Sequence, residues 1–232
     1  VAACVVPRRR GGHAVATERG FVLLDAAGEV ERVVPDAWDD RGVRMNDGGC
    51  DPAGRFLCGS MAYDAAEGRG ALYRLEPDGS VATVFDGVTI SNGIAWSDDG
   101  CTMYYVDSPT HRIDAFDYDA TSGVPSARRT VVEIPVEAGT PDGLTLDSEG
   151  AIWVALWGGS AVRRYLPDGR LDAIVEVDVP QPSSCAFGGD DLGELFITTS
   201  AERLDPAAAG ASGALFGCRP GVTGVPTPMF AG

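Results

Sequence analysis

Asn92–Asp107 reads NGIAWSDDGCTMYYVD, and the order of its parts decides the fold. A polar residue before glycine opens the stretch. An apolar run follows, Asp98-Asp99-Gly100 turns the chain, and a second apolar run closes it. β-rich runs of this length, separated by an acidic-glycine turn, read as a hairpin. The same order recurs in DGGCDPAGRFLCGS from Asp47, DGLTLDSEGAIWVAL from Asp142 and SCAFGGDDLGELFITT from Ser184. Starting at 47, 92, 142 and 184, the unit repeats every 45, 50 and 42 residues. A second hairpin completes a unit, as in GALYRLEPDGSVATVF (Gly70–Phe85) and SAVRRYLPDGRLDAIVEV (Ser160–Val177). Four strands per unit of roughly 45 residues is the signature of propeller blades. The opening segment, Val1–Val34, fits the same pattern, which makes five units in all.

In a propeller, equivalent repeat positions far apart in sequence become neighbours around the central channel. The start of each inner strand rings one mouth. That ring is expected to hold Asn46 or Asp47, Asn92, Asp142 and Ser184. Asn92 and Asp142 both precede glycine. Taken alone, such residues form turns, because they tolerate a left-handed backbone. In matching repeat positions, an amide oxygen and a carboxylate converge on the axis and suit a hard divalent cation.

Composition narrows the function. The 232 residues carry 18 basic and 34 acidic side chains, a net charge of −16. Every basic residue is arginine, which excludes Schiff-base lysine chemistry and a Walker A loop. The negative balance argues against nucleic acid and anionic membranes as partners, and no apolar run approaches the ~18 residues of a membrane span. Six cysteines without a CxxC pair, and only two histidines, argue against a Cys/His zinc site and read as free thiols in a reducing cytoplasm. Asp117–Gly123 hints at a calcium loop, but its glycine stands one place late and Arg128 occupies the twelfth position. A hairpin turn is the expectation there.

Several ordered motifs then carry a family likeness. RMNDGGCDPAGRFLCGSM (Arg44–Met61), GALYRL (Gly70–Leu75), ISNGIAWSDDG (Ile90–Gly100), YYVDSPTHRIDAFDYD (Tyr104–Asp119), PDGLTLDSEGAIWVA (Pro141–Ala155) and SSCAFGG (Ser183–Gly189) resemble the regucalcin–gluconolactonase family. The closing FAG (Phe230–Gly232) resembles that family's C-terminus. The resemblance implies an all-β, six-bladed propeller of four-stranded antiparallel blades. It implies one divalent metal ion (Ca²⁺, Zn²⁺, Mg²⁺ or Mn²⁺) at the channel mouth, and a sugar lactone as small-molecule substrate. By motif, SNG gives Asn92 a metal-ligand role, and PDG gives Asp142 a metal-ligand and general-base role. RxND gives Arg44 and Asn46 substrate contacts. The family's third ligand, a glutamate in a GE-type motif of the first blade, has no counterpart here; Glu18 in ATERG stands in another context. With a strand-like start at Val1 instead of methionine, this predicts a first blade missing or incomplete in the chain. Residues 1–232 would then form a single propeller domain covering about five of six blades. A monomer or small homo-oligomer is expected. Two other readings stand beside lactone hydrolysis: another ester or lactone hydrolase on the same fold, and a non-catalytic metal- or sugar-binding propeller.

Overall fold

Acidic-glycine turns do close the hairpins. In the computed structural model, which describes residues 1–206 and 209–232, Asp99 accepts a hydrogen bond from the Cys101 amide at 2.9 Å. Gly100, at φ 69°, supplies the left-handed step that an L side chain resists.

The strands gather into five antiparallel sheets in chain order. The first holds β1 (Cys4–Pro7), β2 (His13–Ala16), β3 (Phe21–Leu24) and β4 (Val30–Val34). The second holds β5 (Val43–Cys50), β6 (Phe56–Ala62), β7 (Gly70–Leu75) and β8 (Val81–Val88). The third holds β9 (Ser91–Trp96), β10 (Thr102–Asp107), β11 (Arg112–Asp119) and β12 (Val124–Glu133). The fourth holds β13 (Thr140–Leu146), β14 (Ile152–Trp157), β15 (Ala161–Tyr165) and β16 (Leu171–Glu176). The fifth has three strands, β17 (Pro182–Gly188), β18 (Glu194–Thr199) and β19 (Leu215–Cys218). Inner strands β1, β5, β9, β13 and β17 follow one another around the axis. Apolar side chains fill the space between successive blades: Phe21, Phe56 and Phe230 between the first two, Met103 and Tyr105 between the second and third, and Trp153 with Ile197 between the last two. Each such side chain stabilises the blade contact by about 1.5–3 kcal/mol.

The six-blade expectation is therefore corrected to five sheets among the described residues, one for each repeat in the sequence. Cys4–Val34 forms all four strands of its sheet, as its repeat pattern predicts, and the fifth sheet is the one with three strands. After β19 the chain does not return as a fourth strand. It runs beneath the ring, where the Phe230 amide donates to Pro7 at 2.9 Å and the Arg9 amide donates to Phe230 at 2.8 Å. All six cysteines are free thiols. Among the described residues, no helix is long and apolar enough to cross a membrane.

Candidate metal and substrate site at the channel mouth

The inner strands begin at one mouth, and their pairing slips there at one repeated point. In the second blade Met45 pairs with Ser60, but the next pair is Gly48 with Cys58. In the third, Ser91 pairs with Asp107 and then Ile94 with Tyr105. In the fourth, Pro141 pairs with Leu156 and then Leu144 with Val154. Two residues face one at each slip, the geometry of a β-bulge, which re-aims a side chain. The bulged pairs are Asn46-Asp47, Asn92-Gly93 and Asp142-Gly143. Asn46, rather than Asp47, is thus the structural equivalent of Asn92 and Asp142. In the fifth blade Pro182 pairs with Thr199 and Ser184 with Thr198, which makes Ser183 the equivalent residue. Ser184, the ring member expected from its repeat motif, takes the place of Gly93 and Gly143.

Glycine at these bulges lets neighbouring inner strands approach. A Cβ on Gly93 would stand 2.6 Å from the Leu144 amide nitrogen and 2.8 Å from the Asp142 carbonyl oxygen. A Cβ on Gly143 would overlap the Ser184 side chain.

Four of the expected residues meet through polar contacts or neighbouring bulges. Arg44 donates to Asn46 Oδ1 at 2.7 Å and to the Met45 carbonyl at 3.0 Å. Asn46 Nδ2 donates to the Ser91 carbonyl at 2.8 Å and to Asn92 Oδ1 at 2.9 Å. Asn92 Nδ2 donates to Ser108 Oγ at 2.6 Å, and that hydroxyl donates to the Pro141 carbonyl at 2.6 Å. This chain crosses three blades and ends beside Asp142. It also fixes both amides: Asn92 Oδ1 faces Asn46 and keeps one lone pair free.

Two carboxylates share the channel. Burial, and then the charge of Asp47, raise the Asp142 carboxyl well above its ordinary range. Burial pushes Asp47 up to about 6, against the opposing pull of the Gly48 amide at 2.7 Å. Neither has an arginine partner among the described residues. A pair of acids without a counter-charge calls for a proton or a cation. Asp142 and Asn92 offer oxygen donors of the hard type, with Asp47 alongside. Among the described residues, no three His, Cys, Asp or Glu side chains converge to hold a metal. The donor set fits a divalent cation whose remaining positions are filled by water or substrate.

Sequence reasoning gave little weight to Asp47 as a second acid, though it directly follows Asn46 in the NDG motif. Ser108 carried no signal, because its role rests on a contact to the next blade. Glu18 was set aside, yet its side chain accepts a hydrogen bond from the Tyr63 hydroxyl at 2.8 Å at the same mouth.

The family described as SMP-30/Gluconolactonase/LRE-like region matches residues 1–201. Regucalcin of Danio rerio is 38% identical over 238 residues, covering 99% of this chain and 80% of that protein. A calcium-binding regucalcin from Agrobacterium tumefaciens superposes with a TM-score of 0.91 at 32% identity, over 97% of this chain and 78% of that one. A gluconolactonase from Xanthomonas campestris superposes with a TM-score of 0.67 at 25% identity, over 81% of this chain and 65% of that one.

Proposed function

Because the chain belongs to the SMP-30/gluconolactonase/LRE-like family, we propose that it hydrolyses a sugar lactone at the channel mouth with the help of a divalent cation. The observation that carries this reading is the pair of uncompensated carboxylates, Asp142 and Asp47, beside the bonded chain from Arg44 to Pro141. Asn92 and Asp142 would hold the ion, one of Ca²⁺, Zn²⁺, Mg²⁺ and Mn²⁺. When bound, it supplies Lewis-acid polarisation of the lactone carbonyl.

The chain's own residues supply the rest. Asp142 takes the proton of the attacking water as general base. Arg44 donates hydrogen bonds to the sugar hydroxyls and to the developing oxyanion, and Asn46 Oδ1 accepts one from a sugar hydroxyl with its remaining lone pair, in positions fixed before substrate arrives. Water adds to the acyl carbon, the ring C–O bond breaks, and the proton held at Asp142 passes to the departing ring oxygen. The product is the open hydroxy acid, and no covalent enzyme intermediate forms. The free thiols suit a reducing compartment, and we assign the protein to the cytoplasm.

Lactone hydrolysis by the whole chain, measured with and without chelator and in Asp142→Ala, tests this. Loss of activity under both treatments is expected; activity surviving both overturns the reading. A substrate panel separates sugar lactones from other esters and lactones. The small number of carboxylates at the mouth favours one second reading, a metal- or sugar-binding propeller without turnover. Calorimetric metal binding in a protein that hydrolyses no lactone would establish it.

A further inference from the structure

Arg44 stands out among the arginines at the mouth. Arg19 pairs with Asp36 at 2.8 Å and Arg69 with Asp40 at 2.6 Å. Among the described residues, Arg44 has no carboxylate at ion-pair distance; its recorded acceptors are the neutral Met45 carbonyl and Asn46 Oδ1. In a protein of net charge −16, an uncompensated cation at a channel mouth needs an explanation.

Tyr63 supplies one. Its ring lies 5.7 Å from the Arg44 guanidinium carbon, in cation–π contact. Its hydroxyl donates to Glu18 Oε1 at 2.8 Å. Glu18 is also docked through its backbone, where its carbonyl accepts the Met45 amide at 2.8 Å. The Tyr63 amide donates to the Gly42 carbonyl at 2.9 Å, which fixes the start of the loop that carries the ring. Tyr63 therefore contacts both an acid and the cation. It satisfies the acid with a hydrogen bond and offers the cation a ring face, which attracts it without neutralising it. At 51% exposure, Tyr63 remains open to a ligand.

We propose that Tyr63 is a positioning residue that, by holding the Glu18 carboxylate, keeps it from Arg44, so that the Arg44 guanidinium receives the carboxylate of a sugar acid at the channel mouth. The inference rests on the lactonase reading only for the ligand class, since a sugar acid is what an opened sugar lactone becomes. A guanidinium binds a carboxylate through paired N–H donors, and Arg44 directs one of its donors to Asn46, inside the site.

The test is calorimetric binding of gluconate to the full chain and to three variants, with thermal melting to verify folding. Tyr63→Phe keeps the ring but frees the Glu18 carboxylate that the hydroxyl holds, so that it can compete for Arg44. It is expected to weaken gluconate binding about tenfold, the scale of a close charge competition. Adding Glu18→Gln to Tyr63→Phe removes the competing charge and is expected to restore affinity to within about twofold of wild type. Glu18→Gln alone is expected to bind as the wild type does. A purely structural role for the pair would not produce rescue by the double variant. Unchanged binding in Tyr63→Phe, a double variant as weak as the single one, or no gluconate binding by the wild type overturns the proposal. Gluconate binding with this pattern in a chain that hydrolyses no lactone overturns the lactonase reading and leaves the proposal standing.

Discussion

Asp47 sits in the channel with its proton affinity raised by burial. Its carboxyl moves from an ordinary 3.8 to about 6 on folding, so the folded state holds the proton more tightly. That contribution to stability is complete below about pH 4 and is lost as pH rises through about 6. In the metal-free protein, the melting temperature should fall more between pH 4 and pH 7 than it does in Asp47→Asn; parallel melting curves for the two would refute the assignment. Asp147 shows the opposite use of a buried acid. It accepts the Glu149 and Ala151 amides at 2.9 and 3.0 Å, Trp153 Nε1 at 2.8 Å and Arg164 Nε at 2.7 Å. Every lone pair has a donor, so the charge is compensated. Removing Asp147 leaves the buried Trp153 Nε1 and the Ala151 amide without their acceptor, at about 1–3 kcal/mol for each unsatisfied group, while Arg164 keeps Glu149 and Asp172 at 2.6 and 2.5 Å. Asp147→Ala should therefore lower the denaturation midpoint strongly and leave cation binding at the opposite mouth unchanged while the protein is folded.

At the scale of the strand, the bulge does the positioning. A methyl group on Gly93 has no room against β13, and overpacking of this kind costs about 1–3 kcal/mol. Gly93→Ala should lower the melting temperature by several degrees. It should also weaken cation binding, because the displaced strand carries Asn92 and presses on Asp142. A variant that binds the ion normally would show that the bulge is not what aims these side chains. The polar-residue-plus-glycine signature of the bulge was legible in the sequence, but its register was not. Aligning the glycines sets Asp47 beside Asn92, whereas the pairing of β5 with β6 sets Asn46 there. The NDG and SNG motifs differ by one residue, and only the hydrogen-bonded partners show where the extra residue lies.

Over the whole molecule, the blades pack in sequence, and the tail ties the underside. Arg8 is buried and donates to the Gly232 carbonyl at 2.8 Å, and the Ala231 amide donates to Gly54 at 2.8 Å. Phe230 enters the core between the first two blades. Phe230→Ala should cost about 3–5 kcal/mol, read from chemical denaturation, because it empties a closed site. The first blade's other face tells against closure. Val5 faces Val15, Val15 faces Val22 and Val22 faces Val33 across its four strands, and Val5 and Val33 are 60% and 65% exposed. An apolar row of this kind on an uncovered sheet attracts hydrophobic dyes and other chains. Val33→Lys should reduce dye binding and concentration-dependent association of the 232-residue chain; no change would show that the row is covered in solution.

The alternation of strands and turns, the five repeats and the polar residues at the heads of the inner strands are legible in the sequence. Each of these is encoded by residues within a few positions of one another: side-chain alternation, acidic-glycine turns, a polar residue beside glycine. Tertiary structure alone decided that the last blade stops at three strands, that Asn46 rather than Asp47 aligns with Asn92, and that Ser108 joins the third blade to the fourth. It also decided that Glu18 reaches Tyr63 beside Arg44. Those outcomes depend on how closely one blade packs on the next, and that spacing is set by side chains some forty-five residues apart whose contact no local pattern records.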